Sequence, residues 1–450
     1  MKAQLLQRYY ALLAYFARKY LHKHKSYIIW VNGSVGKTSC RMIIYQTLQQ
    51  FLPELKISTS PKNFNGELGL SLSIFQIEKW EPNIFCFIST LTTLIRKRFF
   101  WSKPYDVIIL EYGIDRPKEM EFLVKIAKPD IGVFTAIDAV HSEQFGNPAE
   151  IAKEEVKMIK NTKEIAFLNA NDTYAQQLMD MIHIDKISYQ TQGHELTADI
   201  HHSHETFHEK DGNIQVSFDL SLRGHAHRIQ TNLLGKPNYW YIGVALAITE
   251  ILARKLQKKK DIFPKDIHID YELQPGRMSI FPGVEKSIII DGTYNSSPQS
   301  VRKLIDAIYN LKMQIFPQRK MWLVLWDMRE LGDFTEREHR LLAGYVSQSA
   351  DKVFLVGESM HKYLADELIK VGYPAEKIFT FNSSITAGET IHAMLKEPGL
   401  ECLIVCKGSQ NTIFLEETVK LLLKDPQHHS KLTRQSQRWL AKKHSFFTQK

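Results

Sequence analysis

Gly33-Ser34-Val35-Gly36-Lys37-Thr38-Ser39 is the segment of this chain best suited to chemistry. Its two glycines let backbone N–H groups turn inward around an anion, and Lys37 adds a mobile cation. The Thr38 hydroxyl suits a Mg²⁺ ion held against the phosphates that such a loop binds. Val31 stands where the longer phosphate-loop pattern has its first glycine, so the match is to G-x-x-G-K-[ST]. The cradle works only with a strand before it and a helix after it, so that a helix N-terminus faces the anion. Residues 27–31 are an apolar run of strand length, and 41–48 have helical character. The loop therefore implies a nucleoside triphosphate, ATP in the first instance, with Mg²⁺.

The surrounding elements fit that demand. Residues 106–111, 131–135 and 165–169 are short apolar runs, as strands buried on both faces require, and helical stretches at 118–128 and 148–160 lie between them. Alternation replaces this pattern over 195–233, as in 214–220 after the turn Asp211-Gly212-Asn213, which predicts a small β-rich extension. A helix over 241–256 returns to the first domain. A second α/β pattern starts near Pro275, with strands at 287–291, 321–326, 352–356 and 402–406. The expected fold is α/β: a P-loop central domain with a parallel-dominated sheet, then a second Rossmann-like domain. The expected divisions are a basic amphipathic helix over 1–26, a central domain over 27–272, a C-terminal domain over 273–425 and a basic tail over 426–450.

Polar residues punctuate the strand ends of the second domain. Asp291-Gly292-Thr293-Tyr294-Asn295, Asp327-Met328-Arg329-Glu330-Leu331-Gly332 and Lys407-Gly408-Ser409-Gln410 each follow a strand. Ligands of open α/β sheets bind beyond the carboxyl ends of strands. Three such ends would make a cleft facing the phosphate loop, although each alone also suits an ordinary turn.

Composition narrows the class further. The net charge of +9 is concentrated at the ends, where residues 1–25 and 426–450 each carry six Lys or Arg and no acid. The body is mildly acidic, which argues against a nucleic-acid groove. The four cysteines form neither a disulfide framework nor a zinc motif, pointing to reduced thiols in the cytoplasm. Leu5, Tyr9, Leu12, Leu13, Phe16 and Tyr20 share one face of the first helix, with cations elsewhere. Residues 84–95 are apolar and lead into Arg96-Lys97-Arg98-Phe99-Phe100-Trp101. The longest apolar run in each is too short to span a bilayer; they dock on the body or lie at the inner face of the membrane. His194, His201, His202, His204 and His208 lack regular ligand spacing and suit a solvated strand or loop better than a metal tract.

Taken in order, the motifs resemble the Mur ligase superfamily over residues 27–425, and most closely its branch that adds D-alanyl-D-alanine to a peptidoglycan tripeptide. The phosphate loop is similar to the family's G-[ST]-N-G-K-T-[ST], with Val35 where Asn is usual. Asn63-Phe64-Asn65-Gly66-Glu67-Leu68-Gly69 resembles N-x-N-N-x-I-G. Glu111, His141-Ser142-Glu143, Leu168-Asn169-Ala170-Asn171-Asp172, Pro275-Gly276-Arg277-Met278 and the three strand ends above complete the set.

The resemblance implies an ATP-dependent carboxylate–amine ligase working through an acyl phosphate, with two Mg²⁺ ions. It gives Lys37 to the terminal phosphates, and Thr38 and Glu111 to the first metal. His141 goes to the second. Gly33, Ser34, Val35, Gly36 and Ser39 would line the phosphates, with Asn238, Arg277, Asp291, Tyr294 and Asn295 as further ATP contacts. Asn63, Asn65 and Lys407 would meet the substrate, a peptidoglycan-precursor peptide with an amino acid or dipeptide. Fourteen residues after the histidine, family members place a carbamylated lysine, and Glu155 stands there, between Lys153 and Lys157. Either Glu155 supplies the oxygen ligand directly, or it is a solvated helix residue and a neighbouring lysine serves. The adenine pattern H-N-x-x-N is Pro237-Asn238-Tyr239-Trp240-Tyr241 here, one asparagine kept and one lost.

The family branch also has a domain of roughly 80 residues ahead of the loop to grip a UDP sugar, near the lower size limit for folding. Since 32 residues precede Gly33, the expectation is that this domain is missing and that the acceptor is held otherwise or is lipid-linked. The chain would act as a monomer or with a partner that the sequence does not name. Rival readings are a folylpolyglutamate-synthase-like glutamate ligase, a nucleotide-binding scaffold without catalysis, and a nucleic-acid ATPase. Lys37, Thr38, Glu111 and His141 argue against the scaffold.

Overall fold

Every residue of β1 (Tyr27–Asn32) is buried, because its apolar side chains meet helices on both faces of a sheet. The computed structural model describes residues 2–60, 66–77, 80, 84–100, 105–114, 116–190, 198–210, 213–409 and 414–448. Ahead of β1 runs α1 (Lys2–His24). After it come α2 (Lys37–Phe51), β2 (Ile57–Thr59), α3 (Gly66–Ile74), α4 (Ile84–Phe100), β3 (Val107–Glu111) and α5 (Glu119–Ile126). β4 (Ile131–Phe134), α6 (Ser142–Phe145), α7 (Pro148–Lys160), β5 (Ile165–Asn169), α8 (Thr173–Met179) and β6 (Asp185–Gln190) continue the alternation. β7 (Ile200–Lys210), β8 (Asn213–Leu222), β9 (His225–Thr231), α9 (Lys236–Gln257) and β10 (Asp266–His268) follow.

These strands form one sheet in the order β10-β9-β8-β7-β6-β5-β4-β1-β3-β2. It is parallel from β2 through β7 and antiparallel over β7-β8-β9, so a β extension grows from an otherwise α/β sheet. Register matters most at its centre. Val31 lies opposite Glu111 on β3 and Val133 on β4, so the phosphate loop and Glu111 leave the sheet at the same edge. α9 starts at Lys236, ahead of the expected 241, with Pro237 in its first turn, where a missing N–H removes no helical bond.

The second sheet follows from the same pattern. β11 (Ser279–Pro282), β12 (Ile288–Gly292), α10 (Pro298–Ile315), β13 (Lys320–Trp326), α11 (Thr335–Leu341) and α12 (Ala343–Ser349) come first. β14 (Lys352–Val356), α13 (Asp366–Lys370), β15 (Ile378–Phe381), α14 (Ser384–Leu395), β16 (Cys402–Lys407), α15 (Glu416–Leu422) and α16 (Gln437–Thr448) complete it. The order is β11-β12-β16-β13-β14-β15, parallel except for β11. The short strands β11 and β15, at the two edges, escape sequence patterning because four residues carry too little periodicity.

Both charged ends pack. α1 buries Leu13, Ala14, Ala17 and Tyr20, while Leu12, expected on the same face, points to solvent. The segment expected as a basic tail folds back on the second domain. Arg434 and Lys443 are both buried against Glu416, at 2.9 Å each. Cys40, Cys402 and Cys406 are buried thiols outside any disulfide. Asn63, Asn65, His194, Gln410, Trp101 and the turn at 211–212 lie outside the described residues.

Candidate active site

The phosphate loop keeps its shape through two glycines. Gly33 has φ +121° and Gly36 has φ +83°, and a Cβ at Gly36 would run into the Tyr241 hydroxyl. Backbone this close to a neighbouring helix tolerates no side chain. Lys37 at the start of α2 folds back on the loop, its Nζ donating to the carbonyls of Gly33 (2.5 Å) and Ser34 (3.3 Å). Those are local, exchangeable bonds for a cation whose partner in chemistry would be a phosphate.

Beside it, the Thr38 hydroxyl donates to Glu111 Oε1 at 2.9 Å. The other oxygen of Glu111 receives Arg41 Nε at 3.1 Å. Arg41 is fully buried and also donates to Thr59 Oγ1 (2.6 Å) and the Ser60 carbonyl (2.9 Å). It therefore fixes the carboxylate and ties it to the segment that leads into Asn63 and Asn65. Arg41 was not singled out from sequence. Its signal was a cation among Cys40, Ile43, Ile44 and Leu48, on the face of α2 that is buried.

Glu155 settles toward the loop rather than toward water. On α7, capped by Asn147 and started by Pro148, it lies on the buried face with Ile151, Ala152, Met158 and Ile159. Its Oε2 accepts from Asn32 Nδ2 at 2.8 Å. Burial pushes its carboxyl above the usual range, opposed by Lys37, Asn32, the Gly33 N–H and His141. Lys153 points outward to Glu150, and Lys157 bridges Glu121 and Glu154. The solvated reading of Glu155 does not describe this position, and neither lysine turns toward the loop.

His141 sits at φ +71° just before α6, and its Nδ1 lies 3.1 Å from Glu330 Oε2 of the second domain. Glu330 is itself at φ +64°. Non-glycine residues in this region store strain, which clusters at functional sites. The pair holds Glu330 below the ordinary carboxylate range. A second bridge joins the domains nearby. Asp138 Oδ2 accepts from the Gln299 N–H at 3.0 Å, at the start of α10, and Gln299 Nε2 donates to the Ile137 carbonyl at 2.8 Å. Burial raises the Asp138 carboxyl, against bonds from Ser297, Ala139 and Gln299. Asp138 does not announce itself in sequence, because it acts across domains; Glu330 lies in the strand-end run 327–332 marked from sequence, but its pairing with His141 is visible only in the fold.

The second domain closes the far wall. Arg277 is half-buried, its guanidinium 4.3 Å from the Tyr294 ring, and desolvation in the cleft wall lowers its pKa. Lys407 donates to the carbonyls of Gly292 (3.2 Å) and Asn295. Burial, then Arg277, pulls its ammonium down to about 7, against the attraction of Asp291. Asp291 shapes the loop from behind: its Oδ1 accepts from the Thr293 N–H and hydroxyl. Arg434 braces the same loop, donating to the carbonyls of Thr293 (2.8 Å) and Tyr294 (3.3 Å). Asn238 donates to the Leu234 carbonyl at 2.7 Å and lines the cleft with Pro237, Trp240 and Tyr241.

Between the walls is a cleft of about 780 Å³. Ser34, Val35, Gly36, Lys37, Thr38, Ser39, Glu111 and His141 line one side, and Arg277, Tyr294, Asn295 and Lys407 the other. Thr38 with Glu111 offers hard oxygen donors of the kind that Mg²⁺ takes together with phosphate oxygens and water. Among the described residues no three His, Cys, Asp or Glu side chains cluster as a self-sufficient metal cage.

A phosphate loop on one α/β domain, facing a polar wall on a second, defines a two-domain nucleotide-binding protein. The Mur ligase middle domain family matches residues 31–249, and the Mur ligase glutamate ligase domain family matches 276–410. The chain belongs to the Mur ligase family. A UDP-N-acetylmuramoyl-tripeptide–D-alanyl-D-alanine ligase of Borreliella burgdorferi is 27% identical over 336 residues, 73% of this chain and 62% of that protein. The Bacillus subtilis protein of the same name is 24% identical, over 92% of this chain and 79% of its own length. The chain thus spans less than two thirds of the first relative. The crystal structure of MurF ligase from Thermotoga maritima in complex with ADP shares the fold, with a TM-score of 0.69 and 20% identity. That match covers 92% of this chain and 83% of the other.

Proposed function

We propose that this chain joins an amine to a carboxylate with ATP, adding an amino acid or D-Ala-D-Ala to a peptidoglycan-precursor peptide. The observation that carries the reading is the cleft itself, with Lys37, Thr38 and Glu111 on one wall and Arg277, Asn295 and Lys407 on the other. The names of the relatives support the substrate class.

The acceptor carboxylate attacks the γ-phosphorus, the bond to the ADP oxygen breaks, and an acyl phosphate forms. The amine then attacks the carbonyl carbon, and phosphate leaves as the amide is made. The N–H groups of residues 34–38 and Lys37 hold the phosphates, while Arg277 and Lys407 offset charge from the opposite side. Thr38 and Glu111 would hold one Mg²⁺, and His141 and Glu155 would face a second; these ions supply charge neutralisation along the transfer path. Arg41 keeps Glu111 oriented. Closing the second domain on the first brings both halves into one water-poor site.

The acceptor is either UDP-linked or carried on lipid, with the protein at the cytoplasmic face of a membrane. The exposed apolar and basic faces of α1 and α4 favour the lipid-linked form. The test is phosphate release from ATP and Mg²⁺ with UDP-linked and lipid-linked muropeptides, each with and without D-Ala-D-Ala. Release that requires both acceptor and dipeptide is the expected result. Release that responds instead to folate with glutamate, or to neither acceptor class, overturns it.

A further inference from the structure

Two neighbouring helices, α1 and α4, carry eight Lys and Arg residues between them and no Asp or Glu. Their inner faces are already used: Leu13, Ala17, Tyr20 and Leu94 are buried in the protein. What faces water is a second stripe on each. On α1 it runs Arg8, Leu12, Tyr15, Lys19, spaced i, i+4, i+7, i+11 along one line of the helix. Leu12 is 40% and Tyr15 48% exposed, and the Lys19 ammonium stands 5.8 Å from the Tyr15 ring centre. On α4 the exposed stripe holds Phe85 (81%), Ile88 (56%) and Ile95 (41%), with Ser89, Thr92 and Arg96 on the same face. The Tyr9 and Phe87 rings, 4.2 Å apart, set the helices side by side.

We propose that this paired face rests on an anionic lipid surface. Apolar residues standing out between cations, with no acid to repel phosphate headgroups, are what interfacial helices present. No helix among the described residues is long and apolar enough to cross the bilayer, so contact would be peripheral. A second copy of the chain is the poorer occupant, because a two-fold contact through this face would set cations against cations. Position adds purpose. α1 packs on α3, which directly follows residues 61–65 with Asn63 and Asn65, the proposed acceptor contacts. Docking would bring the protein to the same membrane as an acceptor carried on lipid; that step rests on the ligase reading, whereas the docking does not.

The experiment is co-sedimentation of the full chain with vesicles of phosphatidylcholine and phosphatidylglycerol, and with phosphatidylcholine alone, at low and high salt. Wild type is expected to sediment with the anionic vesicles at low salt and to be released by high salt. Phe85→Glu with Ile88→Glu should lower partitioning by about tenfold, as should Arg8→Ala with Lys19→Ala. Both variants should bind ATP in solution, without vesicles, as wild type does. A wild-type chain that stays in the supernatant at low salt overturns the proposal. So does a wild-type oligomer, seen by sedimentation velocity, that Phe85→Glu with Ile88→Glu dissolves. Vesicle binding without turnover on any acceptor would sink the ligase reading and leave the docking face standing.

Discussion

At the scale of the residue, the departure at Glu155 has the clearest consequence. Its carboxylate is buried beside the phosphate loop, while Lys153 and Lys157 are engaged with surface carboxylates. Glu155→Gln is expected to lower turnover by about 10²-fold through weaker Mg²⁺ dependence, whereas Lys153→Ala stays within about twofold. Steady-state rates across a Mg²⁺ series check this, and the reverse ranking would return the role to a lysine. Lys407 makes a second prediction. With a pKa pulled down to about 7 from an unfolded value near 10.4, it loses its proton in the folded chain above neutrality. An anion in the cleft would restore the charge, so ATP binding takes up a proton between those values and weakens as pH rises through about 7. Without ligand the sign is opposite: the unfolded chain holds more protons in that window, so this group's contribution to stability rises with pH from about 7 toward 10. Calorimetry at pH 8 in buffers of different ionisation enthalpy should show uptake in wild type and none in Lys407→Met.

At the scale of the element, the C-terminal segment works as a brace. The family match ends at residue 410, yet Arg434 reaches the carbonyls of Thr293 and Tyr294, and Lys443 shares Glu416 with it. Arg434→Met leaves a buried carboxylate short of one cation, a change that costs about 3–5 kcal/mol where a buried pair is broken. A fall in thermal midpoint with a raised KM for ATP is expected, and Arg434→Lys should recover part of the midpoint but less of the KM. Equal recovery of both would reduce the brace to stability alone. Similarly, α7 was legible as a helix over 148–160 from its cap and period, and Glu155 on its apolar stripe was the visible irregularity. β11 and β15 were not legible, since edge strands of four residues draw their order from neighbours.

At the scale of the whole molecule, two bridges hold the domains in register, His141–Glu330 and Asp138–Gln299. Asp138→Ala removes the acceptor for the first turn of α10 and should increase the radius of gyration in solution without nucleotide. Small-angle scattering measures it, with Mg²⁺ and ATP expected to restore the compact value; an unchanged radius would mean that the bridge does not govern closure.

The local pattern was enough for much of this protein. Glycines and Lys37 define a phosphate loop because only such backbone can close on phosphate, and alternating apolar runs define α/β domains because buried parallel strands need apolar faces. Lys37, Thr38 and Glu111 could be named from spacing and family order. Tertiary structure decided the remainder. It turned Glu155 inward, gave Glu111 its buried Arg41, and set Arg434 and Lys443 on Glu416 where the sequence suggested a free basic tail. Those outcomes depend on which polar groups burial brings together across separations of 18 to 123 residues, beyond the reach of local periodicity.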